Sequence, residues 1–295
     1  MSATSGSTLL PRTSGGRKRK DRIMRGLMMA ATGLALVPLI LIIYYLLYKG
    51  LSSWGRSGFF TTDPNGNFFG NPGGIRSAIL GTLEIVALAT IIAIPVGIAV
   101  ALWLTEYGKD AWFANVVRYF VDVMTGVPSI VFGLFIYISL VISHVGGSGF
   151  AGWKGSLALA LLMLPIVIRS SEVVLLLVPA TLREAALALG APRWRIIWKV
   201  VLPTARSGLV TGSLLSIARG MGETAPLLFT VSVAFGLTGN LNSIMNSLPM
   251  QIFGDITSPR DAVVARAWGA ALTLVALVLI LNLIARAVSR RSRLT

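Results

Sequence analysis

Residues Gly26–Tyr48 read GLMMAATGLALVPLILIIYYLLY, a run of 23 residues without a charged side chain. A helix of that length is about 35 Å long, and the hydrocarbon core of a bilayer is about 30 Å thick. The run is too long for the apolar region of a cleaved signal peptide. It therefore predicts a transmembrane helix.

Five further stretches of the 295-residue chain are long and apolar enough to cross a membrane: Ala78–Leu104, Val116–Ile142, Leu157–Val178, Ser207–Phe235 and Ala267–Ala285. Only 13% of all residues are charged, against about 25% in an ordinary soluble domain. The sequence therefore predicts an all-α integral membrane protein with six transmembrane helices, and it excludes a typical water-soluble enzyme.

The excess of positive charge follows the predicted topology. The chain has 26 Lys and Arg against 11 Asp and Glu, a net charge of +15 that is also found in nucleic-acid-binding proteins. Here, however, the two tails and the second and fourth connections hold 17 of the 26 positive residues. The other three connections share six: Lys49, Arg56, Arg76, Lys154, Arg260 and Arg266. The positive-inside rule then places both termini in the cytoplasm, and we expect a lipid membrane rather than a nucleic acid as the partner.

Residue types that support covalent chemistry are scarce. The chain has no Cys and one His, which excludes a disulfide framework and a thiolate metal site and disfavours hydrolysis by a triad or by zinc. It also has no G-x-x-x-x-G-K-[ST] phosphate-binding loop. We therefore predict no catalytic residue, no metal site and no cofactor in this chain.

A charged side chain inside a span costs about 2.5 kcal/mol or more and so needs a reason. The predicted spans contain seven: Glu84, Arg118, Asp122, Arg169, Glu172, Arg219 and Glu223. Arg118 and Asp122, four residues apart near a span end, predict a local ion pair in which the arginine reaches the interface. Glu84 is either a structural or a functional carboxylate, and the sequence leaves both open.

The remaining four charges form two matching pairs near the predicted midplane. Glu172 follows Arg169 by three residues and Glu223 follows Arg219 by four, so each carboxylate lies on the same helix face as its arginine. One interpretation is a pair of salt bridges that hold the helix bundle together. The other is an internal anion path, because the planar guanidinium matches an oxyanion and stays charged at any working pH.

The connection between the fourth and fifth spans predicts a helix, a break and a second short helix. Pro179 suits the first helical position, and Thr181 with Glu184 has the spacing of a capping box. Gly190 is expected to end this helix, and Arg193–Val201 forms the second segment. Such an element in the cytoplasm, between two charged spans, suggests a docking device.

These patterns divide the chain into four parts. They are a basic and largely disordered cytoplasmic tail (1–25), the first transmembrane helix with its outer loop (26–77), a transmembrane core (78–288) that includes the docking loop (179–206), and a second cytoplasmic tail (289–295).

Three segments resemble a known family. Arg183–Gly190 (REAALALG) is similar to the EAA loop in the permease subunits of ATP-binding-cassette (ABC) importers. Ile168–Glu172 (IRSSE) and Arg219–Phe229 (RGMGETAPLLF) resemble the A-type permease subunits of the phosphate-specific importers. The resemblance implies the type I importer permease fold, with cytoplasmic coupling helices between the fourth and fifth spans. It assigns ATPase coupling to Arg183, Glu184, Ala185, Ala186 and Gly190, and the phosphate path to Arg169, Glu172, Arg219 and Glu223.

The same resemblance implies the partners and the location. It predicts a heterodimer with a C-type permease, two ABC ATPase subunits that carry ATP and Mg, and an extracytoplasmic phosphate-binding protein. All of these would assemble at a bacterial cytoplasmic membrane. Two alternatives stay open: a permease for another oxyanion such as molybdate or sulfate, and a secondary transporter in which Glu172 or Glu223 carries a proton. Two arginines suit any oxyanion, so only the resemblance selects phosphate.

Overall fold

The computed structural model describes residues 15–65, 70–108, 111–147, 149–234, 236–237 and 239–291. The chain divides into two units, Met1–Tyr48 and Lys49–Thr295, so the outer loop of the predicted segment 26–77 belongs to the second unit. The described residues form eleven α-helices: α1 (Gly15–Trp54), α2 (Arg76–Leu102), α3 (Trp112–Gly126), α4 (Ser129–Ile136), α5 (Gly152–Leu176), α6 (Ala180–Ala188), α7 (Arg193–Ile196), α8 (Leu202–Gly222), α9 (Ala225–Thr230), α10 (Leu248–Ile256) and α11 (Asp261–Arg291).

Five helical segments in the described part of the chain are long and apolar enough to span a membrane. The remaining predicted span, the third along the chain, is a bent pair of helices. In it α3 and the helix that begins with α4 meet at an angle of 103°. The prediction of one continuous helix over Val116–Ile142 is therefore wrong. Pro128 explains the bend: it has no backbone N–H, and it favours the extended conformation that Val127 adopts, with ψ of 130°.

The fifth span differs from its prediction at both ends. It was expected to begin at Ser207, but the helix runs from Arg193 to Gly222 without a break. A turn of π-helix over Ile197–Val201 precedes Pro203, and such a turn rearranges the hydrogen bonds that the proline would otherwise interrupt. At the other end α8 stops at Gly222, and the predicted end at Phe235 lies outside the described residues.

The first and last spans are longer than their apolar runs. Helix α1 begins at Gly15, so residues 15–25, predicted as part of a largely disordered tail, are helical. Helix α11 covers Asp261–Arg291 instead of Ala267–Ala285. Flanking polar residues extend both helices. The apolar run indicates only the part of a helix that spans lipid, so it does not predict where the helix begins or ends. The predictions for residues 1–14 and 292–295 lie outside the described residues.

Helix α5 is central to the second unit and packs against both α2 and α8. Small residues on α8 allow close contact with α5. A Cβ atom at Gly212 would lie 2.5 Å from Ser170 Oγ, and one at Gly220 would lie 2.9 Å from Met163 Sδ. Helices α5 and α8 are therefore antiparallel, with Gly212 level with Ser170 and Gly220 level with Met163.

Two of the six cations expected in outer connections are buried. Lys154 lies in the first turn of α5, where its Nζ donates to the carbonyl oxygens of Leu140 (3.0 Å) and Gly149 (2.8 Å). Arg266 on α11 donates from Nε and Nη2 to the two carboxylate oxygens of Asp255 on α10, both at 2.7 Å. Both cations join structural elements, a role that charge counting does not distinguish from a solvated loop charge.

A partly buried ion pair joins the loop before α2 to the start of that helix. Arg76 donates from Nε (3.1 Å) and Nη2 (2.6 Å) to the carboxylate of Asp63. These hydrogen bonds from Arg76 lower the pKa of Asp63, so its carboxylate remains ionised at neutral pH and well below.

Candidate functional site

Four charged side chains from α3 and α5 form one ion-pair network, here called the charged network. Glu172 accepts hydrogen bonds on both oxygens, from Arg118 Nε (2.7 Å) and from Arg169 Nη1 (2.9 Å). Arg169 also donates from Nε to Asp122 Oδ1 at 2.8 Å, and its Nη2 contacts the same oxygen. The predicted local pair of Arg118 with Asp122 is wrong, because each of them pairs with a residue of α5 instead.

Burial explains this pairing. The side chain of Glu172 is only 6% exposed, and a buried carboxylate needs donors on both oxygens. Arg118 supplies one of them and also donates from Nη2 to the carbonyl of Leu104, at 3.1 Å, which ties α3 to the end of α2. Asp122 lies at the opposite extreme, with 59% of its side chain exposed. Sequence spacing alone missed the part that Arg118 and Asp122 play in this site. Both belong to the seven charged residues inside predicted spans, and that position indicated that each needs an oppositely charged partner.

The second predicted pair is also formed, but more loosely. Arg219 Nε lies 3.5 Å from Glu223 Oε1, and the side chains are 57% and 16% exposed. Glu223 follows the last residue of α8 and has an extended backbone, with ψ of 127°, before α9 begins at Ala225. The carboxylate thus lies at a helix break, and Arg219 has less compensation for its charge than Arg169 has.

The two arginines lie at different levels of the helix pair. Because Gly220 is level with Met163, its neighbour Arg219 lies near the middle of α5. Arg219 is therefore level with about Leu164, and Arg169 lies five residues farther along α5, which corresponds to about 8 Å along the helix axis. The sequence predicted both arginines near one midplane, whereas the packing of α5 on α8 places them in succession.

Glu84 is not part of either pair. Its Oε2 atom is buried and has no hydrogen-bond partner among the described residues. The two roles left open by the sequence remain open.

The docking segment has the predicted break but not the predicted start. Helix α6 begins at Ala180, one residue after Pro179, and no side chain caps it, so the capping box is not formed. Gly190 ends the helix with φ of +78°, a conformation that favours glycine. Its N–H donates to the carbonyl of Leu187 at 2.9 Å, and the next N–H donates to that of Ala186 at 3.1 Å.

Arg183 connects α6 to the end of the second span. Its Nε and Nη2 donate to Glu106 Oε1 at 3.1 and 2.9 Å, and its Nη1 and Nη2 donate to the carbonyls of Val178 (2.7 Å) and Leu175 (2.9 Å). The side chain is only 16% exposed, whereas Glu184 and Ala185 are exposed. Glu106 was not predicted as part of this segment, although a carboxylate just after an apolar run indicates a residue that needs a partner at the span end.

Comparison with known proteins identifies the family. Residues 93–294 match the family model described as "Binding-protein-dependent transport system inner membrane component". The chain is 42% identical over 278 residues to "Phosphate transport system permease protein PstA" of Yersinia pestis, which covers 94% of this chain and 92% of that protein. It is 40% identical over 284 residues to "Phosphate transport system permease protein PstA 1" of Mycobacterium tuberculosis H37Rv. That match covers 94% of this chain and 91% of the relative.

Solved structures agree on the fold at lower identity. The MetNI methionine ABC transporter, in an inward-facing conformation, matches with a TM-score of 0.59 at 20% identity, over 73% of this chain and 94% of that one. A bacterial alginate ABC transporter in complex with a periplasmic protein matches with a TM-score of 0.62 at 15% identity, over 92% of this chain and 96% of that one. A second structure, of a bacterial ABC transporter involved in alginate import, matches with a TM-score of 0.60 at 14% identity over the same shares. The fold is therefore that of a type I ABC importer permease, as the sequence predicted. The chain belongs to the family of binding-protein-dependent transport system inner membrane components, and within that family it is a PstA-type permease.

Proposed function

We propose that this chain is the permease subunit through which an ATP-driven importer moves inorganic phosphate across a bacterial cytoplasmic membrane. Identity of 42% and 40% to two phosphate permeases, over 94% of the chain in each case, carries the choice of phosphate. The chain itself is not catalytic, since subunits of this family leave ATP hydrolysis to a separate partner.

The phosphate path follows the two arginines in order. If both termini are cytoplasmic, the Leu176 end of α5 faces the cytoplasm, and an incoming anion meets Arg219 before Arg169. The guanidinium groups replace part of the hydration shell that phosphate loses on entry. Glu223 and Glu172 hold these groups in position when no anion is bound. They also keep the local charge low, so that phosphate binds weakly enough to leave.

Transport is coupled to ATP hydrolysis at α6. The exposed residues Glu184 and Ala185 face the ATPase, and Gly190 sets the direction in which the chain leaves the helix. Two such ATPase subunits bind ATP and Mg. A C-type permease completes the membrane part, and an extracytoplasmic binding protein delivers the phosphate.

The substrate is tested by uptake of labelled phosphate into vesicles that contain the assembled importer and the binding protein. We expect uptake that requires ATP and that excess unlabelled phosphate suppresses, while sulfate and molybdate do not. Suppression by another oxyanion would mean that the importer carries that anion, while ATP-driven transport by this permease would still hold. Uptake that ignores ATP and follows a proton gradient would favour the secondary transporter instead.

We predict that Arg183 acts on the ATPase by positioning α6 rather than by direct contact. Arg183→Ala and Glu106→Gln both weaken the link to the end of α2, so both should reduce phosphate-stimulated ATP hydrolysis, by about tenfold for Arg183→Ala, which loses four hydrogen bonds. The measurement is ATPase activity of the purified complex with phosphate-loaded binding protein. Loss in Arg183→Ala alone, with normal activity in Glu106→Gln, would instead indicate direct contact of Arg183 with the ATPase.

A further inference from the structure

The two carboxylates of the charged network differ in how they could be exchanged. Glu172 is buried and bridges two arginines, one at each oxygen. Asp122 is 59% exposed, and among the described residues Arg169 alone pairs with it, at one oxygen. Its side chain has only two rotatable bonds, so a change of rotamer is enough to release Arg169.

Charge balance shows why one carboxylate must leave before an anion binds. The network contains two guanidinium groups and two carboxylates, so its formal charge is zero. An arriving phosphate would meet two negative charges beside the Arg169 guanidinium, the carboxylates of Asp122 and Glu172. Displacing Glu172 would move the one carboxylate that is buried and would leave Arg118 without a carboxylate partner among the described residues. Displacing Asp122 moves a carboxylate that is already 59% exposed and leaves Glu172 bonded to both Arg118 and Arg169, with a net charge of +1.

We propose that Asp122 is an exchangeable stand-in for the transported anion: it occupies Arg169 while the path is empty and gives way when phosphate arrives. This inference rests on the proposed function and adds a residue that sets the strength of phosphate binding. Glu172 is the fixed counter-ion that keeps Arg169 in place throughout, and Asp122 is the one that competes. The competition keeps phosphate binding weak at Arg169, which speeds its release on the cytoplasmic side.

The expected effect follows from the fraction of time that Arg169 is available. If Asp122 occupies it about nine-tenths of the time, removing this competitor strengthens apparent phosphate binding about tenfold. Asp122→Asn has nearly the same shape and loses the charge, so it should bind phosphate about tenfold more tightly and transport it more slowly. Asp122→Glu keeps a competing carboxylate, so its affinity for phosphate should be closer to that of the wild type than the affinity of Asp122→Asn is. A purely structural role for Asp122 would not tighten binding.

The test is equilibrium binding of labelled phosphate to the purified, nucleotide-free complex without binding protein, for the wild type, Asp122→Asn, Asp122→Glu and Arg169→Gln. Tighter binding in Asp122→Asn only, with loss in Arg169→Gln, supports the proposal. A wild type with no measurable binding still serves, because Asp122→Asn must then bind where the wild type does not. Unchanged or weaker binding in Asp122→Asn, together with normal wild-type phosphate uptake, overturns the proposal and leaves the proposed function standing. A wild-type complex that takes up labelled sulfate or molybdate in an ATP-dependent way, and does not take up phosphate, would overturn both.

Discussion

Phosphate uptake is expected to fall by about a hundredfold or more when Arg219 is replaced by glutamine, by analogy with the effect of removing one hydrogen-bond donor to a developing oxyanion in an enzyme. Arg219 is the more exposed of the two path arginines, and its single contact with Glu223 is long, at 3.5 Å. It is therefore the guanidinium that is freest to bind a passing anion. The measurement is the initial rate of ATP-dependent uptake of labelled phosphate, divided by the amount of assembled complex in the vesicles.

Arg206→Gln is the matched control for this prediction. It removes one positive charge from the same helix. Arg206 is exposed and is the last residue of the docking loop, but it is not among the residues assigned to ATPase coupling, and it lies thirteen residues before Arg219, about 20 Å away along the axis. We expect it to leave uptake within about twofold of the wild type, as for most exposed surface substitutions. Equal losses in both variants would mean that the charge of α8 matters only for assembly or insertion, and full uptake in Arg219→Gln would remove Arg219 from the path.

The second large effect concerns stability. Glu172→Gln removes the charge that Arg118 and Arg169 share, and Arg118 then has no carboxylate partner among the described residues. Removing one member of a fully buried ion pair costs about 3 kcal/mol or more, and Arg118, with 25% of its side chain exposed, regains only part of its hydration here. We expect a clearly lower midpoint of thermal unfolding for the purified complex and a lower yield of assembled protein.

Glu223→Gln provides the comparison for Glu172→Gln. Among the described residues Glu223 makes one ion pair, at 3.5 Å, and its partner Arg219 is 57% exposed, so the charge that remains is less desolvated than that of Arg118. Its unfolding midpoint should therefore lie close to that of the wild type. Equal destabilisation by the two variants would show that the charged network adds no stability beyond an ordinary surface pair.

Local relations were predictable from the sequence, and relations across helices were not. The pairs Arg169–Glu172 and Arg219–Glu223 follow from helical spacing alone, and the break at Gly190 follows from the backbone conformation that glycine favours. The contact of Arg118 with Glu172 joins residues 54 positions apart. It depends on the bend at Pro128 and on the packing of α3 against α5, which no periodicity encodes.

The same distinction separates the spans from their ends. Apolar length identified five spans and the position of the sixth, because the bilayer sets that length. It did not show that Pro203 would be tolerated inside a helix, since the π-helical turn before it is a matter of backbone geometry. Likewise, Arg183 was identified as a docking residue by resemblance, but its contact with Glu106, 77 positions away, required the packed structure.

The measurement that tests the central claim most directly is the number of phosphate ions moved per ATP hydrolysed, for the wild type and for Arg219→Gln. The path arginine and the docking helix α6 are separate sites, so ATP hydrolysis should still respond to phosphate-loaded binding protein in the variant while phosphate movement nearly stops. The ratio should therefore fall by about the same factor as uptake, about a hundredfold. An unchanged ratio, with both activities kept or both lost together, would contradict an anion path through Arg219.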